Sequence, residues 1–542
     1  MSASARINGD RPGAAPDHEV VIVGSGFAGL GTAIELRRQG ISDDFVVLER
    51  AATLGGTWRD NRYPGCACDV PAPLYSFSFA PNPDWSRMFA PHDEIRRYLE
   101  RCADRFGVRE RLRFETEVTA AAWDEGSQLW RLEVRRSGAK PSSAAVEAPG
   151  VNGSESLTAR VLVLGAGGLN RPRMPVVEGL ERFTGPVFHS AEWDDGTELA
   201  GKRVGVVGTG ASAIQIVPQL ARDPRTAVTV FQRTPPWVLP KPERRFSALE
   251  RRLFRALPPI QRALRAAIWG AQESIAIGNV YEPAFNRPLE AVGRRFIRRY
   301  IRDPELAEAL TPDYRIGCKR LLVANDYYPA LAKPNVEVVG EGIVRATERS
   351  VVTASGHEVE LDALVLATGF HAADPFEQTE LRGRGGVALT DAWADGLAAY
   401  LGTTIAGFPN MFVVVGPNTG TGHTSQVYMI ESQIRYVLDA LRTMRRERLG
   451  SVDVRPEVEV EFNREVQRRM RRTVWTRGGC HSWYLDERGH NVTLWPGFSF
   501  DFRRRTRRFD LESYATRPAE APNTLDGWQP TPASGSSKQP VT

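Results

Sequence analysis

Short apolar runs without alternation, each followed by small residues and then a helical pattern, dominate the chain. The first is Val20–Val23, followed by Gly24-Ser25-Gly26-Phe27-Ala28-Gly29 and by Leu30–Arg38, which has helical spacing and ends before Gly40. Phe45–Leu48 is again wholly apolar and stops at Glu49. Four consecutive apolar residues fit a strand buried on both faces, so strand, glycine turn, helix, strand predicts a βαβ unit. The same order returns with Arg203–Val207, Gly208-Thr209-Gly210-Ala211-Ser212-Ala213 and Val228–Phe231. Between the units, Glu115–Val118, Ala121–Trp123 and Trp130–Val134 read as antiparallel strands, Ser137–Ser156 as a low-complexity loop and Val161–Leu164 as a strand. Ala363–Leu366 is a further strand and Ser425–Leu441 a helix.

The turns carry chemistry. In the first unit a G-x-G-x-x-G turn (Gly24, Gly26, Gly29) precedes an acid, Glu49, 20 positions after its third glycine. The glycines let backbone approach a pyrophosphate, the helix start offers N–H groups, and Glu49 can accept from a ribose hydroxyl. In the second unit Gly208, Gly210 and Ser212 form the turn, with Ala213 as the permitted third position, but the second strand ends in Gln232-Arg233-Thr234. An arginine and a hydroxyl there suit a 2′-phosphate, which Glu49 would repel. The first unit is therefore expected to take FAD and the second NADPH. Gln215, one helical turn after Ser212, is assigned either to the pyrophosphate or to core polarity.

The predicted fold class is α/β, with two Rossmann-like dinucleotide-binding domains (FAD and NADPH) and a helical insertion. Residues 18–170 and 363–527 are expected to form the two parts of the FAD-binding domain, and 171–240 and 317–362 those of the NADPH-binding domain. Residues 241–316 are the insertion, and 1–17 and 528–542 disordered tails. Within the insertion, residues 244–302 hold thirteen arginines and four glutamates, a local surplus of nine that exceeds the +5 of the whole chain. Leu249, Leu253, Leu257, Ile260, Leu264 and Ile268 recur there at helical spacing. The simpler reading is a solvated basic face with a core-facing stripe; the sharper one is a surface for anionic lipid, and membrane association is not expected.

Composition narrows the classes. Hydrophobic residues are 42% and charged residues 25%, an ordinary globular mixture, and the small charge surplus does not argue for nucleic acid. Five cysteines (66, 68, 102, 318 and 480) form no zinc spacing and no C-x-x-C pair, so they read as reduced thiols of a cytoplasmic protein with no metal. The charge-free stretch Gly396–Ile430 is full of Gly, Pro, Asn and Thr and reads as interior protein, not a bilayer span.

Two longer strings go further. Phe183-Thr184-Gly185-Pro186-Val187-Phe188-His189-Ser190-Ala191-Glu192-Trp193-Asp194 has the form F-x-G-x-x-x-H-x-x-x-W-[PD], and Gly55-Gly56-Thr57-Trp58 runs on to Tyr63-Pro64-Gly65 and Asp69. Both strings resemble fingerprints of the type I Baeyer–Villiger monooxygenases, and the similarity spans about residues 18 to 515. The resemblance implies FAD, NADPH and O2, a C4a-peroxyflavin, and insertion of one oxygen atom next to a ketone carbonyl to give an ester or lactone.

It also implies roles. Gly317-Cys318-Lys319-Arg320 matches the family's K-R pair, which makes Arg320 the cation facing the reactive oxygen, Asp69 the carboxylate orienting it, and Lys319 a partner of Arg233 and Thr234 on NADP. Gly56, Thr57, Trp58 and Tyr75 fall on the FAD side, and Phe183, Gly185, His189, Trp193 and Asp194 form a hinge element in which His189 has no acid–base role. Gly416–His423 is expected beside the flavin and Gly479–Tyr484 on the substrate side. The partner is a small-molecule ketone, and oligomeric state is left open. The alternative is a flavin monooxygenase oxygenating N or S centres, as in the neighbouring flavin-containing monooxygenases and N-hydroxylases.

Overall fold

The computed structural model describes residues 15–136, 154–371, 379–486 and 488–519. Its first unit is β1 (His18–Val23), α1 (Phe27–Arg38) and β2 (Phe45–Leu48), with β1 and β2 parallel from Val20↔Phe45 to Val23↔Leu48. Gly29 is required here: a Cβ would lie 1.8 Å from the Gly24 carbonyl oxygen, where α1 folds back against β1. β3 (Leu112–Arg113), β4 (Thr116–Asp124), β5 (Leu129–Arg136) and β6 (Ser154–Leu164) complete the early part of the sheet. The two strands expected over 115–123 are a single strand whose register shifts between Val118 and Ala120, the signature of a bulge. Residues 137–153 of the expected loop lie outside the described residues, while Ser154–Ser156 belong to β6.

The second unit is β7 (Val187–His189), β8 (Arg203–Val207), α2 (Ala213–Leu220) and β9 (Ala227–Phe231), joined later by β10 (Val336–Val339) and β11 (Ala363–Leu366). All pairs are parallel, in the order β10-β9-β8-β11-β7. β11 therefore belongs to this sheet, and the return of the chain to the first sheet falls after Leu366, not at the expected 362/363 boundary. A strand of four apolar residues does not announce which of two parallel sheets will bury it.

The insertion begins with α3 (Ala248–Ala256) and α4 (Pro258–Ala276). Ser247 and Glu250 form a reciprocal capping box at the start of α3, and Pro258 and Pro259 open α4. The apolar stripe faces mostly outward: Leu249 is 75% exposed and Leu257 51%, Leu253 and Ile260 are also exposed, and only Leu264 and Ile268 reach the core. Phe254, off that stripe, is buried and meets Phe246 edge-on, while Arg265 donates to the carbonyls of Pro73, Leu74 and Ser76. The insertion is thus anchored by residues between the expected ones.

The chain then returns to the first sheet with β12 (Glu380–Arg382) beside β4 and β13 (Met411–Val413) beside the C-terminal half of β6. α5 (Gln426–Arg446), capped by Ser425, packs on α1, where Gly31 admits Ile434. At the other end Asp17 is held by Thr158, so the expected tail is already ordered there. Residues 1–14 and 520–542 lie outside the described residues. Among the described residues no helix is long and apolar enough to cross a membrane.

Candidate active site between the two sheets

Both glycine turns end in helix starts that no side chain caps. A Cβ at Gly26 would meet only Gly56 Cα, at 3.8 Å, and one at Gly210 would meet nothing within 4 Å. The turns thus leave open backbone N–H cradles of the kind that take a pyrophosphate. Glu49 stands behind the first cradle. It accepts from Ser25 N and Ser25 Oγ at 2.9 and 2.7 Å on one oxygen, and from Ala51 N and Arg59 Nη1 at 3.0 and 2.9 Å on the other. Four donors fill a carboxylate's four lone-pair sites, so Glu49 locks the turn. A cavity of about 360 Å³ opens beside it, with Arg50, Arg59, Asn170 and Phe370 in its wall.

Behind the second cradle the charge is reversed. Arg233 has no carboxylate partner among the described residues, and Lys319 stands near enough to feel it. Burial, and then Arg233, push the Lys319 ammonium below the usual lysine value, while Tyr314 lies 5.1 Å beneath its nitrogen. The Asp313 carboxylate works the other way on Lys319 but does not outweigh burial and Arg233, so the two side chains keep a positive charge that suits an anion. Gln215 spans the junction between the halves: it donates to the Ala67 carbonyl at 3.0 Å and accepts from Tyr63 Oη and Ala67 N at 3.1 and 3.2 Å. These bonds use one of its two Nε2 protons.

An ion pair joins a loop of the first half to a loop of the second. Arg320 Nε donates to Asp69 Oδ2 at 2.7 Å and Nη2 donates to Oδ1 at 2.6 Å, the planar fork-to-carboxylate geometry. The Arg320 side chain remains 40% exposed, so it keeps donors for a further partner. Burial works to raise the Asp69 carboxyl, but the Arg320 guanidinium outweighs it and holds the acid below its ordinary value. Asp69 in turn raises Arg320. Lys241 adds a second positive charge near Asp69, and Tyr484, fully buried, lies close enough to couple to both members of the pair. Burial pushes its phenol up to about 12, with Arg320 working the other way. Lys241 had no assigned role, and Tyr484 was expected only as part of the substrate-side segment; both come near Asp69 through long-range packing.

On the FAD-side wall, Gly56 stands at φ +51° before the short helix Thr57–Asp60. Trp58 is buried and donates from its indole nitrogen to Tyr75 Oη at 3.2 Å, and the Tyr75 ring meets Phe27 of α1 edge-on. The long fingerprint follows the domain crossing. Gly185 has no room for a Cβ, which would lie 2.4 Å from the Asp362 carbonyl oxygen, and Phe183 packs in the second sheet's core. His189 closes β7, accepts at Nδ1 from Ala191 N at 3.1 Å and meets Phe370 edge-on. Burial lowers its pKa. Beside it the two crossings run antiparallel, with Arg173 N donating to the Gly369 carbonyl and His371 N to that of Arg171. Trp193 packs edge-on against Phe188, and its carbonyl accepts from Arg62 at 3.2 Å. Asp194 is exposed and closes the following turn by accepting from Gly196 N at 2.9 Å. None of the five touches the Arg320–Asp69 pair, which fits a hinge element.

One cysteine expectation is overturned: Cys318 and Cys480 are joined in a disulfide, while Cys66, Cys68 and Cys102 are free and buried. The bridged pair is separated by 162 residues, so no spacing rule could have paired it.

Two glycine-turn cradles in one chain, with an arginine–carboxylate pair linking its two halves, are the parts of a two-cofactor oxidoreductase. Residues 22–91 match the family model of an NAD(P)-binding Rossmann-like domain, and residues 74–243 that of L-lysine 6-monooxygenase/L-ornithine 5-monooxygenase. A Baeyer–Villiger monooxygenase of Pseudomonas aeruginosa is 48% identical over 504 residues, 93% of this chain and 92% of the relative. One of Streptomyces coelicolor is 49% identical over 507 residues, 93% of each. Among solved structures, oxidized steroid monooxygenase bound to NADP superposes with a TM-score of 0.79 at 31% identity, covering 92% of this chain and 99% of that one. Cyclohexanone monooxygenase from Rhodococcus sp. Phi1 bound to NADP+ gives 0.79 at 29% identity, covering 93% and 100%. The chain belongs to the Baeyer–Villiger monooxygenases.

Proposed function

We propose that this monooxygenase uses FAD on the first cradle and NADPH on the second to insert one oxygen atom of O2 next to a ketone carbonyl, giving an ester or lactone. When bound, FAD accepts hydride from NADPH and supplies the oxygen activation; the protein supplies position and charge. The observation that carries the reading is the bidentate Arg320–Asp69 pair at the junction of the two sheets.

Arg320 offers a fixed cation, with donors to spare, where negative charge develops on the attacking and carbonyl oxygens. Asp69 keeps that cation from swinging away, and Arg320 itself, with a smaller contribution from Lys241, keeps Asp69 ionised. Arg233 and Lys319 take the 2′-phosphate, and the Gly24–Gly29 turn, held by Glu49, takes the FAD pyrophosphate. Phe183, Gly185, His189, Trp193 and Asp194 set the geometry of the crossing. We place the enzyme in the cytoplasm, where NADPH is at hand, with a small ketone as its substrate.

The match of residues 74–243 to an N-hydroxylase model supports a second reading, oxygenation of N or S centres. A ketone, a thioether and a primary amine assayed side by side with NADPH separate the two. Ester or lactone formation coupled to NADPH consumption is expected; sulfoxide or hydroxylamine without ester would overturn the first reading.

A further inference from the structure

Cys318 immediately precedes Lys319-Arg320 and is wholly buried, whereas its disulfide partner Cys480 is partly open to solvent. Gly478 makes room for the bridge, since a Cβ there would lie 2.7 Å from both Cβ and Sγ of Cys318. Residues 478–486 belong to no helix or sheet. One end is tied by Arg315 N donating to the Gly478 carbonyl at 2.9 Å, the other by Val492 N donating to the Tyr484 carbonyl at 3.2 Å. Between these ends, Gly479–Trp483 make no hydrogen bond to the Cys318–Arg320 segment among the described residues, and Trp483 is 48% exposed. The disulfide is what fastens this stretch to the arginine's own backbone.

We infer that the Cys318–Cys480 disulfide is a positioning element of the active site: closed, it ties the loop around Cys480 to the backbone two residues before Arg320, and opened by a dithiol it releases the loop and slows ketone oxidation. This rests on the function proposed above. A thiolate of the dithiol attacks Cys480 Sγ, the accessible sulfur; the S–S bond breaks, and Cys318 leaves as a thiolate and takes a proton. The second thiol of the dithiol then displaces Cys480 as its thiol, so two electrons and two protons pass to the cysteines and the reductant leaves as a disulfide. Cys66, Cys68 and Cys102 do not compete, because they are buried; burial pushes the Cys66 thiol up to about 12 and that of Cys102 up to about 11. A bridge of this kind in a reducing compartment responds to the cell's thiol state instead of serving as permanent bracing.

The test uses FAD-loaded enzyme purified without thiols, the same enzyme after dithiothreitol and alkylation, and the variant Cys480→Ser. Peptide mapping without reduction is expected to find residues 318 and 480 cross-linked. Amide exchange over 478–486 is expected to quicken about tenfold in the reduced and Cys480→Ser forms. In those forms kcat/KM for the ketone should fall about five- to twentyfold, anaerobic flavin reduction by NADPH should change less than twofold, and Cys480→Ser should not respond to dithiothreitol. Free thiols at both positions in the untreated enzyme, or equal exchange and equal kcat/KM in all three forms, would overturn the inference. If loop exchange responds to reduction but no form oxidises any ketone, the clamp stands and the proposed function falls.

Discussion

The two glycine turns share a backbone and differ in what stands behind them. At the first, Glu49 is saturated by Ser25, Ala51 and Arg59, so its negative charge is spent on holding the turn. At the second, Arg233 depresses Lys319, and the Asp313 carboxylate offsets only part of that repulsion. The first site is complete without its ligand, while the second pays a repulsion that an anionic ligand relieves. A cofactor kept through many turnovers suits the first arrangement, and a coenzyme that must come and go suits the second. Asp69 and Arg320 belong to neither glycine turn, and in the proposed reaction they serve the step that follows both.

The largest effect is expected at the first turn. Gly26→Val should give protein with wild-type far-UV circular dichroism and no flavin, because the chain itself leaves the space open and the side chain takes the cofactor's place. A yellow, fully loaded variant would erase the distinction between the cradles. Next comes the junction. Arg320→Ala should take hydride from NADPH under anaerobic conditions at a measurable rate and lose ester formation by ~10²–10³, the usual cost of a preorganised charge. Near wild-type ester yield would move the catalytic cation elsewhere.

At the second turn, Arg233→Ala should raise KM for NADPH by about tenfold or more and leave NADH nearly untouched, since a charged hydrogen bond is worth roughly 1.5–3 kcal/mol. Acid–base behaviour sharpens this. Lys319 is depressed by burial and by Arg233, so its proton leaves below the ordinary lysine range, and kcat/KM for NADPH should fall with rising pH correspondingly early. Removing Arg233 takes away one of the two depressing causes and should shift that fall to higher pH. The smallest effect is Glu49→Ala, expected to weaken FAD retention roughly fivefold, one net hydrogen bond of about 1 kcal/mol, as read by flavin release during dialysis. A stronger loss there than at Gly26 would reverse the order of the two roles.

Local signals in the sequence carried both turns, because glycine spacing, apolar runs and the residue ending each second strand are fixed by neighbours a few positions away. Arg320 and Asp69 were paired through the family resemblance, and the geometry brings them together across 251 residues. What escaped was set by distant packing. Cys318 meets Cys480 only when the loop after Arg477 folds over the second half, and Gln215 is claimed by Ala67 from the opposite domain. The leucine stripe of α3 obeyed helical periodicity yet faces outward, since periodicity reports one common face and not which neighbour covers it. β11 was given to the wrong sheet for the same reason.

The strand order also fixes a timetable for synthesis. The second sheet has its last strand once residue 366 has emerged, although it began after the first. The first sheet waits for Met411–Val413 to pair with Leu162–Leu164, and α1 waits for α5 to cover it. On the ribosome the domain begun second therefore closes first, and the one begun first stands with an open strand edge for some 250 further residues, from Leu164 to Met411. Such an edge is the part of a nascent chain most prone to wrong pairing, so yield in a foreign host should depend on chaperones and translation speed more than on the stability of the finished enzyme.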